Sequence, residues 1–235
     1  MRLPILVYHR VTDAPLPQLR DYAVSPAAFR RQMRLLRLGG WKTVDPDDLL
    51  AARAGRAKLP ARAVMITFDD AYAEIERKAL PALRANRQKA TIYACAGLLG
   101  ASSDQLRGDD LHEGAELMDA EALRRVRAQG FGVESHTVTH PRLTGLDDTA
   151  LAEELSGSRE RLAELLGEEV RHLAYPYGDY DDRVVTAAES AGYATAMTTD
   201  HGPVREESPL RLPRIYVSWG DGCLRVLARL LRGVG

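Results

Sequence analysis

Short runs of apolar and β-branched residues recur along this chain of 235 residues and are separated by longer stretches of mixed polarity. The predicted strands are Leu3–Tyr8, Lys42–Val44, Ala63–Phe68, Ala90–Ala96, Phe131–Ser135, Arg171–Tyr175, Ala194–Thr198 and Arg214–Val217. Several of them are almost continuously apolar, as is typical of parallel strands covered on both faces. The pattern therefore indicates a mainly parallel sheet.

The stretches between these runs carry apolar residues at helical spacing. In Pro26–Leu38, for example, Phe29, Met33 and Leu36 share one face, and Ser25 can cap the first turn. The other predicted helices are Asp45–Ala54, Glu74–Asn86, Asp119–Gln129, Asp147–Leu166 and Asp181–Ala191. Strands that alternate with helices in this way favour a parallel barrel or a doubly wound sheet, and in both the chemistry collects at the carboxyl ends of the strands.

Two segments do not fit this alternation. Gly100–Met118 is polar and irregular, and we interpret it either as a solvated insertion or as an active-site lid. Near residues 222–233, apolar residues lie mainly on one helical face, which predicts a C-terminal helix docked on the barrel; a membrane-surface or partner helix is the alternative. The apolar positions of this helix are Leu224, Val226, Leu227, Leu230 and Leu231.

Composition limits the class of protein. With 45% hydrophobic and 28% charged residues and a formal net charge of -1, residues 1–235 are expected to form one domain with a buried core. The even mixing of charges gives no basic face for nucleic acid, so no nucleic-acid partner is expected. We expect no transmembrane segment, and the apolar start is too short for an export signal. The compartment and the oligomeric state stay open.

Two adjacent carboxylates follow the predicted strand Ala63–Phe68. Asp69 and Asp70 stand where the side chains of a parallel strand reach the sheet edge. Like charges this close raise each other's pKa, and a nearby dication would remove that penalty for one of them. The simpler alternative is that one aspartate only caps the helix that begins near Ala71.

Two imidazoles follow the predicted strand Phe131–Ser135. His136 and His140 are four residues apart and can reach one ion if the segment between them turns once. The residues between them are poor helix formers, so a tight turn is expected. Zinc proteases with a similar spacing need Glu after the first histidine, and Thr137 stands there instead. The alternative is a histidine pair that is hydrogen-bonded on a surface turn.

Both clusters end parallel strands and therefore belong to the same rim. Asp70, His136 and His140 together would leave coordination positions open, as a catalytic site for one divalent metal ion requires. We expect zinc, while cobalt, nickel and iron are compatible with these ligands. Such an ion lowers the pKa of a bound water from 15.7 to about 7, and Asp69 would be free to accept the proton.

Thr-Phe-Asp-Asp at 67–70 followed by His-Thr-x-x-His at 136–140 resembles the motifs of the polysaccharide deacetylases, the NodB-homology domains of carbohydrate esterase family 4. The resemblance runs from about Pro4 to Val217 and includes Leu-Val-Tyr-His-Arg-Val at 6–11 and Ala-Tyr-Pro-Tyr-Gly at 174–178. It implies an α/β fold, a distorted (β/α) barrel of roughly seven parallel strands. The chain is most similar to the branch that deacetylates poly-N-acetylglucosamine.

The resemblance also implies roles for individual residues. Asp69 would be the general base, and the Tyr177 backbone N–H would stabilise the oxyanion. Tyr175 and Pro176 are expected to contribute to substrate binding, because a flat aromatic face suits a sugar ring; packing in the core or at the rim is the alternative for Tyr175. The implied metal ligands are Asp70, His136 and His140.

The chain departs from the family pattern at two places. Many members have Arg where Ala174 stands, and Arg214 is expected to replace it by pairing with Asp69 or to contact substrate; an ordinary surface ion pair is the alternative. The late Leu-x-His motif that supplies a candidate general acid is not visible. His9 and His201 are the candidates for that role, against a packed or solvent-facing histidine.

These observations favour a metal-dependent hydrolase that removes N-acetyl groups from an amino-sugar glycan or glycan precursor. Its partner would be an acetylated amino-sugar polymer or oligomer. An O-acetyl esterase or a non-sugar amidase would use the same metal chemistry, and a catalytically weak glycan-binding module is an alternative from another class. Acetate release compared across acetylated glucosamine oligomers, acetyl xylan and small amides separates the enzymatic alternatives, and metal content measured together with acetate release separates the enzyme from the binding module.

Overall fold

The strands of the computed structural model, which describes residues 2–106 and 114–232, lie close to their predicted positions. The strands are β1 Ile5–Tyr8, β2 Arg10–Val11, β3 Ala23–Val24, β4 Lys42–Val44, β5 Ala63–Phe68, β6 Thr91–Ala94, β7 Gly132–Ser135, β8 His172–Ala174, β9 Thr195–His201 and β10 Leu212–Tyr216. Each of the eight predicted strands is present. The short pair β2 and β3 was not predicted, because two-residue strands carry no readable alternation.

The helices also follow the prediction, with two interruptions. They are α1 Pro26–Leu38, α2 Pro46–Arg53, α3 Glu74–Lys78, α4 Leu80–Ala85, α5 Ala120–Ala128, α6 Asp148–Ala152, α7 Ser158–Leu166, α8 Asp182–Ser190 and α9 Cys223–Arg232. The predicted helix Glu74–Asn86 breaks at Ala79 because Pro81 has no N–H to donate and its ring excludes a regular turn before it. The predicted helix Asp147–Leu166 is interrupted by a π-turn at Glu153–Gly157.

Seven parallel strands close into a barrel in the order β1-β10-β9-β8-β7-β6-β5, with β5 pairing back to β1. This confirms the distorted (β/α) barrel with roughly seven strands. Met65 of β5 pairs with Ile5 of β1 on one side and with Val44 of β4 on the other. Two residues later, Thr67 pairs with Val7 of β1 and with Thr91 of β6. Strands β4 and β6 therefore share one edge of β5, and this sharing distorts the barrel.

Side chains alternate between two environments along each strand, as the pleat requires. On β5, Val64 and Ile66 pack in the main core cluster with side chains from the surrounding helices, while Met65 belongs to a second, smaller cluster. The row that starts at Met65 continues through Thr67 to Asp69. The alternation of the strand therefore carries Asp69 to the same side as this second cluster, at the carboxyl end of the barrel.

Helix α9 packs beside α1. Val226 and Leu230 are fully buried, whereas Leu224 is 82% exposed and Leu231 is 52% exposed. The prediction that Leu224 and Leu231 belong to the docking face was wrong. The face of α9 that packs on the protein is narrower than the set of apolar positions in its sequence. Among the described residues, no helix has the length and apolar character needed to cross a membrane.

Candidate active site

The acidic pair lies in the first turn after β5 and is buried. Asp69 is 3% exposed and Asp70 is 2% exposed. Asp70 has a φ of 67°, so the backbone reverses there and the two carboxylates point to different partners. Burial alone would raise the pKa of Asp70, but the adjacent imidazoles of His136 and His140 lower it well below its usual range. Asp70 therefore stays ionised.

The two imidazoles follow β7 and are held by backbone carbonyls. His136 Nδ1 lies 2.7 Å from the carbonyl oxygen of Ala174, and His140 Nδ1 lies 2.7 Å from that of Leu106. An Nδ1–H that donates to a carbonyl fixes the tautomer and leaves the Nε2 lone pair able to bind a metal ion. Both Nε2 atoms face Asp70, at 3.4 Å and 3.6 Å from its Oδ1.

These three residues fit a divalent metal ion. One ligand atom from each of Asp70, His136 and His140 lies within 4.8 Å of the others. Bonds of about 2.0–2.1 Å at tetrahedral angles separate neighbouring ligands by about 3.3 Å, which agrees with the two Nε2–Oδ1 distances. The donor set of two imidazoles and one carboxylate is that of a catalytic site with open positions.

Asp69 is bound on its other side by a buried arginine. Arg214 Nη1 and Nη2 donate to Asp69 Oδ1 and Oδ2, each at 2.7 Å, while Nε donates to the carbonyl of Thr198. Burial would raise the pKa of Asp69, but Arg214, His136 and His9 outweigh this and lower it. The expected pairing of Arg214 with Asp69 is present, and Arg214 lies behind the aspartate instead of in the cavity where substrate would bind.

A cavity of about 210 Å³ opens at the carboxyl ends of the strands. Its lining residues are His9, Tyr22, Asp69, Asp70, His136, His140, Arg142, Tyr175, Tyr177, Thr199 and Tyr216. The sequence interpretation missed Tyr22, Arg142, Thr199 and Tyr216. Tyr216 ends β10, and Thr199 directly follows the predicted strand Ala194–Thr198, so their position at strand ends was the available signal. Tyr22 and Arg142 lie outside the predicted strands and helices, and their segments gave no such signal.

The two histidine candidates for the general acid differ in position. His9 lines the cavity, and its Nε2 lies 3.9 Å from Asp69 Oδ2. Its ring stacks on Tyr216 and meets Tyr22 edge-on. His201, in contrast, is exposed at the end of β9 and does not line this cavity. The geometry therefore favours His9 of the two.

The predicted substrate-binding segment forms a tight turn after β8. Tyr175 contributes a wall of the cavity but is 1% exposed, with its hydroxyl donating to the carbonyl of Leu210. Pro176 is buried in the turn and does not line the cavity. Tyr177 has a φ of 57°; its ring packs on His140, and the guanidinium of Arg142 lies 4.5 Å from the ring centroid.

Gly178 is the residue that lets this turn approach β9. It has a φ of +64°, and a Cβ there would lie 2.0 Å from Thr199 Oγ1. We expect Gly178→Ala to lower the free energy of unfolding by about 1–3 kcal/mol through strain and overpacking, and to reduce activity by displacing the turn. Gly145→Ala is the matched control, since a Cβ there meets nothing within 4 Å. Urea denaturation checks both variants, and equal stability would contradict the packing argument.

The segment Gly100–Met118 reaches the site. The carbonyl of Leu106 accepts hydrogen bonds from His140 Nδ1 and from the Tyr177 hydroxyl, the latter at 3.0 Å. The described flank of this segment thus contributes to the support of the ligands. Four polar residues of this segment, Asp109, Asp110, His112 and Glu113, lie outside the described residues.

Positive φ values concentrate in the segments that build the site. In the described part of the chain, six residues other than glycine have a positive φ, and all except Arg87 belong to site segments. The five are Asp70, Ala71, Thr137, His140 and Tyr177. Each such conformation costs about 1–3 kcal/mol and persists only where the surroundings enforce it. The same turns therefore bend three strand ends toward one point.

Comparison with known proteins agrees with this geometry. Among sequences, the chain is 28% identical over 220 residues to YxkH of Bacillus subtilis (strain 168), a protein named for polysaccharide deacetylation, covering 93% of this chain and 72% of YxkH. It is 23% identical to the poly-beta-1,6-N-acetyl-D-glucosamine N-deacetylase of Staphylococcus aureus (strain N315), covering 91% of this chain and 78% of the relative.

Among solved structures, the Streptococcus pyogenes deacetylase PplD in complex with acetate has a TM-score of 0.84 at 24% identity, covering 98% of both chains. IcaB from Ammonifex degensii has a TM-score of 0.80 at 26% identity, covering 97% of both chains. The likeness to PplD concerns the fold. The sequence profile described as polysaccharide deacetylase matches residues 56–196, more than half of the chain. This chain therefore belongs to the polysaccharide deacetylase family.

Proposed function

We propose that this protein is a metal-dependent N-deacetylase that hydrolyses N-acetyl groups of an amino-sugar polymer or oligomer. One observation carries the proposal: Asp70, His136 and His140 face a common point in a cavity that Asp69 also lines, and Arg214, which lies behind Asp69, lowers the pKa of its carboxyl. The relatives named as deacetylases of poly-β-1,6-N-acetylglucosamine support the class of substrate.

Asp70, His136 and His140 would hold one divalent ion, and zinc fits this donor set. When bound, such an ion polarises the acetamide carbonyl and lowers the pKa of a water molecule. Asp69 is the general base in this proposal, because its carboxylate lines the cavity beside the ligands without being required as one. Arg214 orients both Asp69 oxygens and acts through them, so it is a positioning residue.

His9 is the proposed proton donor to the leaving amine. It faces the cavity next to Asp69, and an imidazole can take up a proton and release it near neutral pH. The Tyr177 backbone N–H is proposed to stabilise the negative charge that develops on the acetyl oxygen. The left-handed conformation of Tyr177 sets the direction of that N–H in the turn after β8.

Acetate release over a panel of substrates tests the proposed function. The panel contains β-1,6- and β-1,4-linked N-acetylglucosamine oligomers, acetyl xylan and small acetamides, each with zinc-loaded and with chelator-stripped protein. We expect release from an N-acetylglucosamine oligomer, its loss after stripping, and its return with Zn²⁺. Turnover confined to acetyl xylan or to small acetamides would contradict the glycan N-deacetylase, and full activity of the stripped protein would contradict metal dependence.

A further inference from the structure

A carboxylate from outside the histidine turn holds the backbone between the two imidazoles. Glu154 Oε2 accepts hydrogen bonds from the Val138 N–H at 2.8 Å and the Thr139 N–H at 2.9 Å. Its Oε1 accepts from the Thr139 hydroxyl at 2.5 Å. Three donors of the turn therefore converge on one side chain that lies 15 or 16 residues further along the chain.

The turn needs such support because its backbone is strained. Thr137 has a φ of 70° and His140 a φ of 63°, and a positive φ is costly for a β-branched residue. The other two N–H groups of the turn bond locally, Thr137 to Ser135 Oγ and His140 to Thr137 Oγ1. Among these side-chain acceptors, Glu154 is the one that ties the turn to a separate element.

Glu154 occupies this position because the helix widens there. The π-turn Glu153–Gly157 inserts an irregular turn between α6 and α7, and such insertions frequently occur at functional sites. Within it, the Leu155 carbonyl accepts from the hydroxyls of Ser158 and Tyr193. Ser158 Oγ lies 2.8 Å from Ser135 Oγ, which provides a second link from this segment to the start of the histidine turn.

We propose that Glu154 is a positioning residue for the metal ligands His136 and His140. This role of Glu154 rests on the proposed metal site, and it gives the π-turn a part in holding the ligands in place. With the carboxylate present, the turn is ordered before an ion arrives, so binding does not have to supply the free energy of ordering it. Without it, the three donors turn to water, and the turn is held by its local bonds and by the Ala96 and Gly97 N–H groups, which donate to the carbonyls of Thr137 and Val138. The separation of the two imidazoles is then less firmly fixed.

Zinc affinity measured by competition with a chromophoric chelator tests this role independently of turnover. Glu154→Ala is expected to weaken Zn²⁺ binding about 10–100-fold, the usual cost of removing support from a ligand. Glu154→Gln keeps an oxygen for the two N–H groups and is expected to restore most of the affinity. Glu154→Asp keeps the charge on a shorter arm; an intermediate loss is expected, and this variant decides the question if the alanine variant does not fold.

Glu153 provides a matched control in the same π-turn, because its carboxylate pairs at the surface with Arg161 at 2.6 Å. Glu153→Ala should bind zinc as the wild type does. Wild-type zinc affinity in the Glu154→Ala and Glu154→Asp variants would overturn the positioning role while leaving the proposed function intact. Zinc-binding wild type that releases no acetate would overturn the function alone, and wild type that binds no zinc would overturn both.

Discussion

Asp69→Asn is expected to lower the rate of acetate release by about 10²–10⁴-fold, the usual contribution of a general base, while the protein keeps its metal ion. An amide cannot take up the proton that the carboxylate accepts. The proposed ligands Asp70, His136 and His140 are unchanged by the substitution. Turnover of an N-acetylglucosamine oligomer and elemental analysis of the same preparation check the two halves of this expectation.

The control for this variant is Asp148→Asn, which changes a 91%-exposed carboxylate that pairs with Arg183 on the surface. Its turnover and its metal content should both match the wild type. If Asp69→Asn stays fully active, Asp69 is not the base. If the metal is lost together with the activity, Asp69 contributes to the ligand set, and the division of roles between the two adjacent aspartates is wrong.

The barrel and the position of the candidate metal ligands Asp70, His136 and His140 were predictable because both depend on local pattern. Apolar runs mark parallel strands, and polar residues directly after β5 and β7 must meet at one rim. To predict that Asp70 and His136 lie close together, it was therefore enough to locate the ends of two strands. The structure adds the contacts that orient the two imidazoles, namely those of their Nδ1 atoms with the carbonyls of Ala174 and Leu106.

The supporting contacts were harder to predict from local pattern because they join distant segments. The pairing of Arg214 with Asp69 was expected only through the family resemblance, because 145 residues separate the two and only the closure of the barrel brings β10 close to Asp69. Glu154 depends on a π-turn, and no hydrophobic period distinguishes a helix with an inserted turn from a continuous one. Helix α9 shows the same limit, since the helical spacing of its apolar residues predicted a wider buried face than the structure has.

Arg214→Met is expected to lower the free energy of unfolding by about 3–5 kcal/mol, because it leaves the Asp69 carboxylate buried without its partner. Both side chains are almost fully buried, and the guanidinium makes two bonds of 2.7 Å to the carboxylate. Urea denaturation measures the loss. Arg161→Met, which removes only a half-exposed surface pair with Glu153, should change stability far less.

A double-variant cycle separates the ion pair from the packing of the arginine. If Arg214 stabilises the fold by pairing with Asp69, the double variant Asp69→Asn/Arg214→Met loses less stability than the two single variants added together, because no charge is left unpaired. Losses that simply add would show that Arg214 acts through its bonds to Thr198 and Thr67 instead. Activity should not return in the double variant, since pairing orients the base but does not replace it.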